Sequence, residues 1–147
     1  MRRGRLELDG PALERLVREL AASPERWAHF VSHSREQRHY EELHRDDDTG
    51  FHDHDLSGGA VAVVAGAVAE DRLALGGSPV TREFVSGQAF HFSAADIHRV
   101  RHTGTEPAVT IHAYSPPLWR MGAYEVLPGG ELRRHSLSYA EELRPLG

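Results

Sequence analysis

From Gly50 onward the chain breaks into short apolar segments separated by turn residues: Ala60–Val68, Leu73–Leu75, Pro79–Val85, Ala89–Phe92, Ile97–His102, Val109–Tyr114 and Tyr124–Leu127, the last followed by Pro128-Gly129-Gly130. A spacing of about 8–12 residues with Gly, Pro and Ser punctuation predicts strands joined by hairpins, in an antiparallel barrel or sandwich. The expected architecture is an all-β core, a small double-sheet barrel of the jelly-roll (double-stranded β-helix) type, behind short N-terminal helices. Pro11 to Ala22 places Leu13, Leu16, Val17 and Leu20 on one helical stripe, with Glu14, Arg15, Arg18 and Glu19 around the other face. Ser23-Pro24-Glu25 is a cap followed by proline at a first helical position, which predicts a second short helix taking in Trp27 and Phe30. Both helices serve to cover one end or edge of the β-core.

Two segments are less defined. Arg35 to Asp48 fits a helix that gathers Glu36, Tyr40 and Leu43, or a strand that ends in the acidic run Asp46-Asp47-Asp48. In the tail from Ser136, Tyr139 to Leu143 predicts a short helical turn before Pro145. No internal repeat and no second domain is visible. The expectation is one domain over 1–147, with a helical or irregular part over 1–48, the barrel over 49–130 and a tail over 131–147.

At 147 residues the chain is long enough to bury a core, and 39% hydrophobic against 27% charged residues is a globular rather than a disordered composition. A net charge of −5 spread over both signs argues against a nucleic-acid partner. The basic start, Met1 to Arg5, is not followed by the apolar core of a signal peptide. The longest uncharged run, Leu56 to Ala69, is too short and too rich in Gly and Ala to span a bilayer. A cytoplasmic chain with no membrane partner, monomeric or a weak homo-oligomer, is expected. The absence of cysteine removes disulfides, thiolate ligands and cysteine nucleophiles together, so any transition metal must be held by His, Asp or Glu.

Such ligands are present. In Thr49-Gly50-Phe51-His52-Asp53-His54-Asp55 two histidines at i and i+2 share one face of an extended segment. Side by side they make half of a metal site that suits iron, zinc, copper or nickel; with 11 histidines in the chain, a solvated turn is the plainer alternative. His98, in Asp96-Ile97-His98-Arg99-Val100, lies on a later strand that a small barrel can pack across from the pair, though a surface strand would carry it equally well. On a third strand Thr110, His112 and Tyr114 alternate with Val109, Ile111 and Ala113. That polar row is either the wet face of an edge strand or the wall of a polar cavity in which His112 and Tyr114 form a hydrogen-bond relay.

His-Asp-His, then His-Arg-Val, then Ile-His-Ala-Tyr-Ser-Pro-Pro-Leu, in this order, resembles the cysteine dioxygenase type I family of the cupin superfamily, over roughly Gly50 to Tyr124. The resemblance implies that His52, His54 and His98 hold ferrous iron, and that Thr110, His112 and Tyr114 are the row beside it, with Tyr114 donating to substrate or oxygen and His112 holding its hydroxyl. Gly59 stands where the animal enzymes have a cysteine cross-linked to that tyrosine; the bacterial members, which this chain resembles in this respect, lack it. Metal-binding cupins of the ordinary kind add a glutamate shortly after the histidine pair, where this chain has Gly58 and Gly59. The implied reaction is oxidation of a small thiol by O2 to its sulfinate, with cysteine or a related thiol carboxylate as substrate. An arginine should bind the substrate carboxylate, and Arg38, with Arg35 second, is the candidate.

The chain departs from the family just before the histidine pair, where Asp46-Asp47-Asp48 stands in place of an apolar strand. That departure favours a second reading, a metal-binding cupin without catalysis. A third, a zinc hydrolase, would need Asp53, Asp55 or Asp96 as its general base. A His-Asp phosphohydrolase reading of His52-Asp53 fails, because those motifs sit on helices and this one is flanked by glycines and strand-like residues.

Overall fold

The computed structural model describes residues 7–30, 51–74 and 76–138. Within them lie nine strands: β1 (His52–Asp53), β2 (Gly58–Ala65), β3 (Ala67–Arg72), β4 (Val80–Val85), β5 (Ala89–Phe92), β6 (His98–Thr103), β7 (Val109–Ser115), β8 (Arg120–Val126) and β9 (Leu132–Ser138). All pair antiparallel, in a six-stranded sheet of order β4-β3-β6-β1-β8-β9 and a three-stranded sheet of order β5-β2-β7. The two sheets make the expected cupin-like sandwich. Val61, Val63, Phe90 and Phe92 of the smaller sheet meet Val68 and Val100 of the larger one in the core between them.

A helix, α1 (Gly10–Ala21), forms a third layer. Asp9 caps it by accepting from the Ala12 amide at 2.9 Å, and Leu13 and Val17 are buried against Ala60, Ala62, Ala89 and Ile111 on the outer face of the smaller sheet. The small alanines on that face let the helix approach closely. Leu16, expected on the buried stripe, is exposed. The predicted second helix is instead two 3₁₀ turns, Pro24–Arg26 and Ala28–Phe30. Ser23 explains the difference, because its hydroxyl donates back to the Glu19 carbonyl at 3.2 Å and makes no side-chain cap for the turn that begins at Pro24.

Three strand expectations also change. The run Ala60–Val68, expected as one strand, divides at Gly66, where φ is +70° and a Cβ would sit 2.5 Å from the Pro107 carbonyl oxygen. Only glycine fits there on both counts, and the break sends β2 and β3 into different sheets. Leu73 and Ala74 are not in a strand. Conversely, β9 falls where a tail was expected; it is an exposed edge strand without an apolar alternation, and its register comes from pairing with β8. Arg35–Asp48, Tyr139–Leu143 and Met1–Arg5 lie outside the described residues. No helix among the described residues is long and apolar enough to cross a membrane.

Candidate metal centre

Strand β1 is two residues long, and pairing positions it. His52 lies opposite His98 of β6 on one side and Ala123 of β8 on the other, while Asp53 lies opposite Gly122. Residues directly opposite in an antiparallel pair project side chains to the same face, so the rings of His52 and His98 meet between the sheets. His54, two residues on, joins them. Ring centroids are 4.8 Å apart for His52–His54 and for His52–His98, and 5.1 Å for His54–His98. The ring planes are inclined by 82°, 70° and 80°, edge to face rather than stacked. One nitrogen from each lies within 4.8 Å of the others, and all three residues are buried. Three converging imidazole nitrogens can hold a first-row transition metal, and among the described residues no carboxylate joins the set.

Glu70 on β3 stands behind His98. Its Oε2 accepts from His98 Nδ1 at 2.8 Å in a pair only 1–2% exposed, which leaves Nε2 as the atom that could hold a metal. Arg72 donates to both oxygens of Glu70 at 3.0 Å, and Arg82 to one at 3.2 Å. Burial alone would push the Glu70 carboxyl up, but the bonds from His98 and Arg72 outweigh it and hold the carboxyl below its ordinary value. Glu70 was not among the residues that the sequence pointed to. The available signal was its place two residues after Val68, on the face that points inward.

Phe92 walls the site. Its ring stacks on His54 at 4.5 Å and 29° and tilts against His98 at 4.4 Å. Gly59 pairs with Phe92 on one side and Tyr114 on the other, and a Cβ there would lie 2.3 Å from Phe92 Cζ. The missing side chain at Gly59 is therefore the space that Phe92 fills.

The Thr–His–Tyr row of β7 faces inward. Ile111 and Ala113 pack toward α1, whereas Tyr114 packs against the core between the sheets with its ring 5.2 Å from that of His54. His112 bridges its neighbours, with Nε2 3.0 Å from the Thr110 hydroxyl and Nδ1 3.3 Å from the Tyr114 hydroxyl. Of the two sequence-level alternatives for this row, the structure has the polar relay.

The other named groups are engaged elsewhere. Asp53 points to the opposite face of the sheet, where it accepts from Arg134, Tyr124 and the Gly122 and Asp55 amides. Burial pushes its carboxyl up, yet those donors hold it far below the ordinary carboxylate range. Asp96 accepts from the Ser93 amide at 2.8 Å and pairs with Arg72 at 3.4 Å. Asp55 is exposed in the turn at φ 55°. Neither Asp53 nor Asp96 is therefore poised as the base that a hydrolase would need. Arg38 and Arg35 lie outside the described residues. Of the arginines around the site, Arg72 and Arg82 bind Glu70, Arg99 and Arg101 bind Asp71, and Arg134 binds Asp53.

The sequence model of a family described as cysteine dioxygenase type I matches residues 44–126. The match covers more than half of the 147 residues and contains all three histidines and the β7 row. No curated protein matches the chain.

Proposed function

The chain belongs to the cysteine dioxygenase type I family, and from that premise we propose that it is an iron-dependent thiol dioxygenase, oxidising cysteine or a related small thiol carboxylate with O2 to the sulfinate. The observation that carries this reading is the buried tripod of His52, His54 and His98 standing beside a Tyr114–His112–Thr110 relay. Ferrous iron held by the tripod would supply the electron exchange with O2 that a thiol lacks on its own. The three ligands are neutral imidazoles, so the charge of a metal held by them would favour an anionic sulfur, the thiolate form of the substrate.

His112 sets the direction of the relay. In the tautomer whose Nε2 accepts from the Thr110 hydroxyl, Nδ1–H is donated to the phenol oxygen, and the Tyr114 hydroxyl can then donate to substrate or oxygen. Phe92, itself buried, covers one side of the tripod at His54 and His98. Arg38, with Arg35 second, supplies the cation for the substrate carboxylate; the commitment of the surrounding arginines to Glu70, Asp71 and Asp53 supports looking outside them.

The second reading, a metal-binding cupin without catalysis, draws on Asp46-Asp47-Asp48 standing where an apolar strand is expected. Oxygen consumption by anaerobically purified, iron-reconstituted protein, given L-cysteine and then 3-mercaptopropionate, separates the two. Stoichiometric iron with thiol-dependent uptake and a sulfinate product is the expected result, and Tyr114→Phe should lower turnover by about 10²-fold or more while iron stays bound. Bound iron with no uptake from either thiol would leave the binding module. Unchanged turnover in Tyr114→Phe would remove the relay from the mechanism.

A further inference from the structure

We propose that Arg134 is a positioning residue for the metal site, acting through Asp53 from the face of the sheet opposite to the histidines; the inference rests on reading His52, His54 and His98 as metal ligands. A two-residue strand carries one of those ligands and is followed at once by another, so its orientation about its own axis decides where both rings point. Among the described residues its ladder is short: one residue pair with β6 and two with β8, extended by the Tyr124 amide bonding to the Phe51 carbonyl at 2.9 Å.

Asp53 supplies what the ladder lacks. Its side chain leaves the segment between the two histidines and points the other way, so a twist of the segment that moves one moves all three. An outward-facing carboxylate would ordinarily be left to solvent. Here the guanidinium of Arg134 donates bidentately, Nε to Oδ2 at 2.9 Å and Nη2 to Oδ1 at 2.9 Å. The Tyr124 hydroxyl donates to Oδ2 at 2.5 Å, and the Asp55 and Gly122 amides donate to Oδ1 at 2.9 and 3.2 Å. Two parallel bonds fix the plane of a carboxylate, not only its distance.

Gly122 makes the geometry possible. It faces Asp53 across the ladder, and a Cβ there would lie 2.2 Å from Arg134 Nε. The guanidinium thus lies across bare backbone. Arg134 comes from β9, an exposed edge strand that lies after the residues matched by the family model, 44–126. Holding this clamp gives that strand a part in the site.

Cobalt(II) titration of the full-length protein, followed by d–d absorption and checked by competition with Fe(II), tests the inference. Arg134→Gln should weaken Co(II) binding by about tenfold to a hundredfold and alter the d–d bands. Arg134→Lys, which keeps charge but not the fork, should recover part of the loss. Arg133→Gln, on the same strand, should match the wild type. Wild-type affinity and bands in Arg134→Gln, together with a lower melting temperature, would reduce Arg134 to a strand staple and overturn the inference while the metal site stands. Failure of the wild type to bind either metal would overturn the metal-site reading and the inference with it. If Arg134→Gln does not fold, Gly122→Ala displaces the guanidinium with the arginine retained, and the same outcomes apply.

Discussion

Glu70 and Asp71 are adjacent carboxylates on β3, 1% and 2% exposed, and they serve opposite sides of the molecule. Glu70 points between the sheets and takes a proton donor from His98, with Arg72 and Arg82 compensating its charge. Asp71 points outward and takes Arg99 at 2.8 Å, Arg101 at 2.9 Å and the Thr81 hydroxyl at 2.6 Å. Each is a buried anion with two arginines, and similar chemistry gives one a place behind a histidine of the candidate metal centre and the other a place in the outer surface. The alternation of side chains along a strand makes that division. A carboxylate here becomes part of the site by the face it occupies.

The two carboxylates should differ most at the metal. Glu70→Gln should weaken Co(II) or Fe(II) binding by about 10–100-fold, because a neutral amide no longer raises the basicity of His98 and its NH₂ meets Arg72 and Arg82. Asp71→Asn should leave that affinity where it is. Equal affinities in titrations of the two variants would mean that Glu70 has no part in holding the metal.

Stability is the next difference. Donors from Arg101, Thr81 and Arg99 overcome the cost of burial and bring the Asp71 carboxyl down to about 2. Against an ordinary value of 3.8, and allowing for the partly exposed arginines, Asp71→Asn should cost about 1–2 kcal/mol in urea unfolding. A loss well below that would mean the outer cluster is solvated surface.

The smallest effect is a slope. The folded carboxyl titrates below the unfolded one, so the stability it contributes is present above about pH 4 and is lost as pH falls through the folded value near 2. Unfolding free energy should decline across that window in the wild type, and the decline should be shallower in Asp71→Asn. Identical acid limbs in the two proteins would assign the decline to other carboxylates.

Much of the site was legible without the structure. His52 and His54, and Thr110, His112 and Tyr114, share their faces by period 2, and that regularity survives folding wherever the segment is extended. Other features were illegible for a common reason. Glu70 meets His98 across 28 positions of sequence, and Arg134 meets Asp53 across 81. Neither distance has a local signature. β9 carries no apolar alternation because an edge strand on the surface needs none, and the break at Gly66 hid inside an apolar run because glycine there answers to the Pro107 carbonyl, a group forty-one positions away.

The order of residues along the chain specifies the type of fold, through its turn spacing, and the sets of side chains that share one face. It specifies the ligand chemistry too, since a chain without cysteine leaves imidazole and carboxylate as the donors. Folding settles which face of each strand turns inward, which strand stands beside which, and therefore that Glu70 backs a histidine while Asp53 braces two from behind. Strand alternation is a property of a few consecutive residues, whereas register between strands is set by pairing across the whole sheet, and that pairing places the three imidazoles together.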